Sequence, residues 1–333
     1  MNKGVIARYR GRLPVSDKTP VVTLCEGSTP LLRADLLAAA VGLREGSVYL
    51  KLEGMNPTGS FKDRGMTLAV SKALEEGSQG VVCASTGNTA ASAAAYAARA
   101  GLRCIIFIPK AGVAVGKIAQ ALMHGSELVE VRGNFDKAMT VSLSRAAELG
   151  FTVVNSVNPY RIEGQKTAAF EVAEDLGAPP ELLFLPVGNA GNITAYWKGF
   201  CELGGRRPRL MGYQAAGAAP LVLGRDVEDP KTVASAIRIG KPLSRAGALA
   251  ARDQSAGLID SVTDAEIIAA YRLLAKAEGV FCEPASAASV AGLLKCRREK
   301  VPLSGRIVCV LTGHGLKDPQ TPMRFKYRPF KER

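Results

Sequence analysis

The residues with the clearest chemical potential lie in one stretch, residues 56–65, which reads Asn-Pro-Thr-Gly-Ser-Phe-Lys-Asp-Arg-Gly. It joins an apolar run typical of a strand, Val48–Leu52, to residues 66–74, whose apolar positions have helical spacing. Lys62 then falls in the first turn of a helix, with Ser60 as its predicted N-cap, and the helix dipole disfavours the ammonium form there. Considered alone, such a lysine is more often a solvated charge than an amine with a lowered pKa that forms a Schiff base.

Two further loops follow strand-like runs and open helices, an arrangement typical of anion sites. Residues 85–89 read Ser-Thr-Gly-Asn-Thr and precede an alanine-rich helix, so hydroxyls, an amide and backbone N–H groups meet at a helix N-terminus. Residues 188–192 read Gly-Asn-Ala-Gly-Asn, in which two glycines let successive N–H groups converge on one phosphate. Either loop alone is a weak signal, because ordinary capped helices begin in the same way.

Two more polar loops come directly after strand-like runs. Residues 155–161 read Asn-Ser-Val-Asn-Pro-Tyr-Arg and offer two amides, a hydroxyl and a guanidinium suited to bidentate phosphate contact. The alternative for this loop is a linker between domains with a surface salt bridge. Residues 312–318 read Thr-Gly-His-Gly-Leu-Lys-Asp. Ligands of open α/β sheets bind at the carboxyl ends of strands, so these loops are where a ligand is expected.

The elements that must position these loops alternate between strands and helices. Strand-like apolar runs occur at 48–52, 81–84, 104–108, 127–131, 152–154, 182–187, 209–214 and 306–311. Helical spacing occurs at 66–74, 88–100, 115–124, 134–149, 162–176, 190–204, 264–278 and 284–298. This alternation predicts a doubly wound α/β fold, with a domain boundary near 155–161. The Ala-, Gly- and Pro-rich segment 216–256 allows no assignment.

Composition narrows the function classes. With 333 residues, of which 47% are apolar, the chain can bury a large core in two domains or one large α/β unit. The formal charge is +13, but Lys and Arg are scattered and aromatic residues make up only 6%, so no nucleic-acid surface is predicted. Seven widely spaced cysteines indicate free thiols in a reducing compartment, and two histidines do not support a metal site. Without a secretory signal or a long apolar stretch, a soluble cytoplasmic protein is expected, with no membrane contact.

The string at 56–65 closely resembles the cofactor-lysine motif of fold-type II (tryptophan synthase β-like) pyridoxal phosphate enzymes. Among these, the sequences at 188–192 and 312–318 resemble the threonine synthases, and Glu-Gly-Ser-Thr-Pro-Leu at 26–31 agrees with that family. The resemblance runs from about residue 4 to residue 318. It implies two doubly wound open-sheet domains with the active site in the cleft between them. Residues 55–155 would form the small domain, and residues 1–54 and 156–333 the large one.

The resemblance also implies a role for each loop. Lys62 would hold pyridoxal 5'-phosphate as an internal aldimine, Asn88 would contact the phenolic oxygen, and Thr312 would meet the pyridine nitrogen. The cofactor phosphate would be bound by Gly188, Asn189, Ala190, Gly191 and Asn192. The substrate would be bound by Ser85, Thr86, Thr89, Asn155, Ser156, Arg161 and Asn189. Lys117 is a weaker candidate as an additional cation, and His314 is expected to be structural.

The activity implied by the resemblance is that of a threonine synthase. Such an enzyme eliminates phosphate from O-phospho-L-homoserine and adds water at Cβ, giving L-threonine and phosphate. The nearest alternative is a threonine or serine dehydratase on the same fold, which would need no second phosphate site. A non-catalytic nucleic-acid-binding module is a much weaker alternative. The expected partners are the small-molecule substrate and a second copy of the chain.

Overall fold

The structure is a computed structural model that describes residues 3–110 and 115–325, except for the side chains of residues 115–117. The side chain of Lys117 therefore lies outside the described residues. The strands are β1 (Leu31–Arg33), β2 (Val48–Leu52), β3 (Gly80–Ala84), β4 (Arg103–Pro109), β5 (Glu127–Val131), β6 (Thr152–Val153), β7 (Leu182–Pro186), β8 (Arg209–Ala215), β9 (Leu258–Val262) and β10 (Ile307–Leu311). The helices are α1 (Val5–Arg8), α2 (Asp35–Ala40), α3 (Lys62–Glu75), α4 (Asn88–Ala100), α5 (Val115–Met123), α6 (Phe135–Leu149), α7 (Pro159–Gln165), α8 (Thr167–Leu176), α9 (Gly191–Leu203), α10 (Arg245–Gln254), α11 (Asp264–Ala277) and α12 (Pro284–Arg298).

The smaller sheet has four parallel strands in the order β5-β4-β3-β6. All five residues of β3 are buried, as expected of a parallel strand covered on both faces. Helix α4 packs beside it with small side chains, and six of its alanines are buried, so its backbone approaches its neighbours closely. The predicted alternation of strands and helices is confirmed here, and the loops after β3 and β6 open at the same edge.

The larger sheet has six strands in the order β1-β2-β10-β7-β8-β9 and is parallel except for the antiparallel pair β1 and β2. Strand β10, the last in sequence, lies at the centre, where Cys309 pairs with both Leu50 of β2 and Phe184 of β7. The carboxyl ends of these three strands therefore lie side by side. This order brings together loops that stand far apart in the sequence.

The sequence prediction missed β1, β9, α1 and α2, and three other local features differ from it. The predicted helix at 162–176 is two helices that meet at Lys166, where the Thr167 hydroxyl binds the carbonyl oxygen of Gly164 at 2.7 Å. The unassigned segment 216–256 contains α10. Ser60 is not the N-cap of α3, because the helix begins after Phe61 without a side-chain cap.

The loop before α3 is fixed by long-range bonds instead of a local cap. The backbone N–H of Phe61 donates to the carbonyl oxygen of Thr312 at 3.0 Å, and Ser60 forms an isolated β-bridge with Gly313. The start of α3 is thereby attached to the end of β10. Within residues 3–110 and 115–325, no helix is both long enough and apolar enough to cross a membrane.

Candidate active site

A cavity of about 1340 Å³ lies where the loops of the two sheets face each other. It is lined by the loops after β2, β3, β6, β7 and β10. The residues singled out from the sequence all line it: Lys62, Ser85, Thr86, Asn88, Thr89, Asn155, Ser156, Arg161, Gly188, Asn189, Ala190, Gly191, Asn192 and Thr312. The fold therefore collects into one cleft residues that the sequence distributes over five loops.

Lys62 is the first residue of α3, and its Nζ lies 4.4 Å from the centre of the Phe61 ring. Burial of the amine lowers its pKa to about 7, and the positive charge of Arg161 contributes in the same direction. The negative charge of Glu283 acts against both. A large fraction of this amine is therefore neutral at physiological pH, which is the form that attacks a carbonyl carbon.

The loop carrying Lys62 is held by the residue that follows it. One carboxylate oxygen of Asp63 accepts from the backbone N–H of Thr58 at 2.7 Å. The other accepts from the hydroxyls of Thr58 and Ser92, both at 2.6 Å. Since Ser92 belongs to α4, these bonds fix the lysine loop against the helix that begins with Asn88.

Asn88 and Thr312 come from different parts of the fold, Asn88 from the start of α4 and Thr312 from the position directly after β10. The Asn88 Nδ2 donates to the two carboxylate oxygens of Glu283 at 3.1 and 3.2 Å. The Thr312 hydroxyl lies 3.1 Å from that of Ser286, in the first turn of α12. An uncharged hydroxyl and an amide therefore face the cleft where the sequence placed the two polar contacts of a cofactor ring.

The loop at 188–192 is shaped to bind an anion. A Cβ at Gly188 would lie 2.9 Å from the Cα of Ile237, so only glycine allows this approach. Ala190 has a φ of 67°, an unfavourable left-handed conformation that turns the chain into α9. The Nδ2 of Asn192 is buried and has no hydrogen-bond partner among the described residues. An unpaired N–H donor at the N-terminus of the 13-residue helix α9 is suited to binding a phosphate.

Arg161, on α7, supplies a second set of unsatisfied donors. Its guanidinium is buried, and Nη1 donates to the carbonyl oxygen of Val154 at 2.8 Å. Its Nε and Nη2 have no partner within the described part of the chain. Burial lowers the pKa of Arg161 to about 10. A buried cation without a counterion is costly, so this geometry favours an anionic ligand.

The remaining predicted residues support the loops around these donors. Ser156 accepts a hydrogen bond from the side-chain amide of Asn189, which links the loop after β6 to the loop after β7. The Asn155 Oδ1 accepts from the backbone N–H of Ala84 at 2.9 Å, and its Nδ2 donates to the carbonyl oxygen of Ala84 at 2.8 Å. The Ser85 hydroxyl accepts from the backbone N–H of Gly87 at 3.2 Å. Asn155 is thus placed to position the loop rather than to present a free amide.

Sequence reasoning gave no role to several charged residues that line the cleft, among them Glu283 and Lys317. The Lys317 ammonium donates to the carbonyl oxygen of Thr58 at 3.0 Å and to the side chain of Gln120 on α5. Burial lowers its pKa. Lys317 lies in the loop at 312–318, which follows β10, and Glu283 directly precedes α12. A charged residue beside a strand end or a helix start was the sequence signal that could have identified both.

The chain matches known enzymes over nearly all of its length. Residues 22–313 match the model of the family described as pyridoxal-phosphate dependent enzyme. Threonine synthase of Synechocystis sp. is 58% identical over 95% of this chain and 84% of that protein. Threonine synthase of Mycobacterium tuberculosis is 56% identical, over 96% and 90%. That of Methanocaldococcus jannaschii is 48% identical, over 97% and 83%.

Solved structures agree in fold. Maize serine racemase is 22% identical with a TM-score of 0.78, and the match covers 96% of this chain and 94% of that one. A threonine deaminase from T.th. is 26% identical with a TM-score of 0.76, over 97% and 96%. These matches confirm the predicted fold class and the dependence on pyridoxal phosphate. The chain belongs to the pyridoxal-phosphate dependent enzymes, has their type II fold, and within that family groups with the threonine synthases.

Proposed function

We propose that this enzyme converts O-phospho-L-homoserine and water into L-threonine and phosphate. The observation that carries the proposal is the presence of two sets of unsatisfied buried donors beside Lys62, Asn192 Nδ2 on α9 and Arg161 Nε and Nη2 on α7. One set suits the phosphate of the cofactor, and the other suits the phosphate of the substrate. A dehydratase acting on threonine or serine has no substrate phosphate and would leave the second set unpaired.

Residues from both sheets would hold the cofactor. Lys62 would bind it covalently, and the loop at 188–192 would bind its phosphate through converging N–H groups. Asn88 would contact its ring oxygen, and the uncharged Thr312 would contact its ring nitrogen. When bound, the cofactor supplies an aldehyde and a conjugated ring that delocalises negative charge from the substrate carbons.

The substrate's own anionic groups would be bound by the remaining loops. Its carboxylate fits the open start of α4 at 85–89, where Ser85 and Thr86 supply hydroxyls. Its phosphate fits the guanidinium of Arg161. Ser156, Thr89 and Asn189 would surround that phosphate, and Asn155 would hold the loop in place.

Lys62 would also move protons. Once the substrate amine has taken its place, the free Lys62 amine removes the proton at Cα and returns a proton later in the reaction. A group with a pKa near 7 serves both as base and as acid at neutral pH, which is the condition for efficient general acid–base catalysis.

We further propose that residues 55–155 form the small domain and the rest of the chain the large domain, and that the enzyme is a cytoplasmic homodimer. The four-stranded sheet lies wholly within 55–155, which supports that division. The free thiols of Cys83, Cys104, Cys201, Cys282, Cys296 and Cys309 support a reducing compartment. The homodimer rests on the resemblance to fold-type II enzymes, and light scattering of the purified enzyme tests it.

The reaction is tested by measuring phosphate release from O-phospho-L-homoserine and comparing it with turnover of threonine and serine. We expect the phosphorylated substrate to be preferred and threonine to be the product. Lys62→Ala should abolish the visible absorption band of the bound cofactor. Preferred turnover of threonine or serine would show a dehydratase instead, and a colourless wild-type enzyme that binds no cofactor would refute the proposal entirely.

Arg161→Ala separates the two phosphate sites. We expect this variant to retain the cofactor but to bind O-phospho-L-homoserine at least tenfold more weakly, because a bidentate charged contact is lost. Arg145→Ala, at an exposed site on α6, is the matched control and should behave as wild type. Unchanged substrate affinity in Arg161→Ala would refute the assignment of this guanidinium.

A further inference from the structure

Glu283 is a charged residue of the cleft to which the proposed reaction assigns no role. Its side chain is only 5% exposed, and it lies between the end of β10 and the start of α12. Its backbone N–H donates to the carbonyl oxygen of Gly313 at 2.9 Å. A Cβ on Gly313 would lie 2.5 Å from its carboxylate oxygen, so the carboxylate is packed directly against the strand end.

The hydrogen-bond partner of this carboxylate is Asn88, the first residue of α4, which packs on the four-stranded sheet. The Nδ2 of Asn88 binds both oxygens of Glu283, at 3.2 and 3.1 Å. Burial raises the pKa of Glu283, and the positive charges of Lys317 and Lys62 oppose that effect. The negative charge of Asp318 also acts on Glu283, in the same direction as burial.

Both side-chain oxygens of Glu283 accept from the Nδ2 of Asn88. Glu283 therefore holds the NH₂ group of Asn88, and not its carbonyl oxygen, toward itself. That nitrogen carries two N–H groups, so one can be shared between the two oxygens of Glu283 while the other is available to the cleft. Without Glu283, the amide could rotate and place its oxygen against the oxygen of the cofactor ring, where two acceptors repel each other.

We propose that Glu283 is a positioning residue that fixes the side-chain amide of Asn88 so that an N–H group points at the ring oxygen of pyridoxal phosphate. This inference rests on the proposed role of Asn88. Glu283 acts through Asn88 and does not itself take part in proton transfer. Because Asn88 begins α4 and Glu283 directly precedes α12, the same hydrogen bond links the starts of these two helices.

A double-mutant cycle on cofactor affinity tests this proposal. Apoenzymes carrying Glu283→Leu, Asn88→Ala or both are titrated with pyridoxal phosphate, and the dissociation constant is followed by visible absorbance. We expect each single variant to bind about tenfold more weakly, as for loss of a hydrogen bond to a charged group. The double variant should bind the cofactor no more weakly than the single variant of lower affinity, since both changes remove the same contact. The proposal is wrong if the losses of cofactor affinity in the two single variants multiply in the double variant. It is also wrong if Glu283→Leu binds the cofactor with wild-type affinity.

Two controls make every outcome informative. Thermal unfolding identifies a Glu283→Leu variant that does not fold, in which case Glu283→Asp replaces it in the cycle. This shorter side chain keeps the charge but cannot reach Asn88. Lys62→Ala reports on the proposed function separately: if it keeps the visible band, the cofactor assignment fails whatever the cycle shows. If Lys62→Ala loses the visible band and the effects of Glu283→Leu and Asn88→Ala on cofactor affinity are additive, only the proposed role of Glu283 is wrong.

Discussion

At the scale of single residues, the site depends on charges that the fold withdraws from water. Lys62 would have an ordinary pKa of about 10.4 in solvent. Burial and the nearby guanidinium of Arg161 lower this pKa to about 7. Arg161 is buried as well, and burial lowers its pKa too. The guanidinium of Arg161 therefore disfavours the ammonium form of Lys62 until an anion enters the cleft.

Cofactor uptake by the apoenzyme should follow the titration of Lys62. The rate should rise with pH through a midpoint of about 7, because only the neutral amine attacks the aldehyde. In Arg161→Met the midpoint should move upward, because removing a like charge favours the ammonium form. Stopped-flow absorbance across the neutral and alkaline range measures both. A wild-type midpoint near that of a free lysine, or a downward shift in the variant, would contradict this account.

At the scale of elements, the site depends on the close packing of α3 and α7. A Cβ on Gly65 would lie 2.6 Å from the carbonyl oxygen of Arg161, and one on Gly164 would lie 2.0 Å from that of Arg64. Two glycines that face each other let the helix backbones almost touch. The helix that carries Lys62 and the helix that carries Arg161 are thereby fixed relative to each other.

Gly164→Ala should therefore affect both stability and the site. We expect the free energy of unfolding to fall by roughly 1–3 kcal/mol, because the added methyl overlaps backbone that cannot move independently. Affinity for the phosphorylated substrate should fall as the helices separate. Denaturant unfolding and substrate titration measure these changes. Gly11→Ala is the control, since a Cβ there meets nothing within 4 Å. Equal stability of the two variants would count against this packing.

At the scale of the whole molecule, a buried ionic network joins the helix of the small sheet to the large sheet. Arg64 binds Glu53, at the end of β2, through two bonds of 2.7 Å. It also binds Glu171, on α8, at 2.8 and 2.6 Å. Lys51 approaches the same Glu171 carboxylate at 3.1 Å. Because Arg64 is two residues from Lys62, this network also sets the position of the lysine.

Arg64→Met should lower the free energy of unfolding by roughly 3–5 kcal/mol at neutral pH, since it leaves two buried carboxylates without their guanidinium. Arg103→Met removes an exposed pair with Glu127 and should cost at most about 1 kcal/mol. Thermal or denaturant unfolding of the two variants gives the comparison. A similar small loss for both would show that the network contributes little.

The pH dependence of this network follows from Glu171. The positive charges of Arg64 and Lys51 outweigh the effect of burial and hold the pKa of Glu171 well below its usual range. A carboxyl with a depressed pKa stabilises the fold above its unfolded pKa of about 4.3, and this contribution is lost as the pH falls toward the folded value. The stability difference between wild type and Arg64→Met should therefore shrink in acid. A difference that stays constant down to acid pH would exclude this carboxyl as its source.

Much of the fold and the identity of the site residues could be read from the sequence. Parallel strands buried on both faces appear as apolar runs, and β3 and β10 were recognisable for this reason. The loops that matter follow such runs, so Lys62, residues 188–192 and Thr312 could be selected from local pattern and resemblance. The missing cap at Ser60 could not be predicted, because Ser60 and Phe61 pair with backbone at the distant end of β10. The break at Lys166 could not be predicted either, because the apolar spacing of 162–176 continues through it.

Residue types and their local spacing were enough to identify the side chains of the site. How these side chains behave depends on the assembly of the two sheets. The insertion of β10 between β2 and β7 brings Thr312 beside the lysine loop, and the approach of the two sheets pairs Asn88 with Glu283. Burial, unpaired donors and the lowered pKa of Lys62 follow from that assembly, because desolvation and electrostatic interactions depend on distance in space and not on separation along the chain.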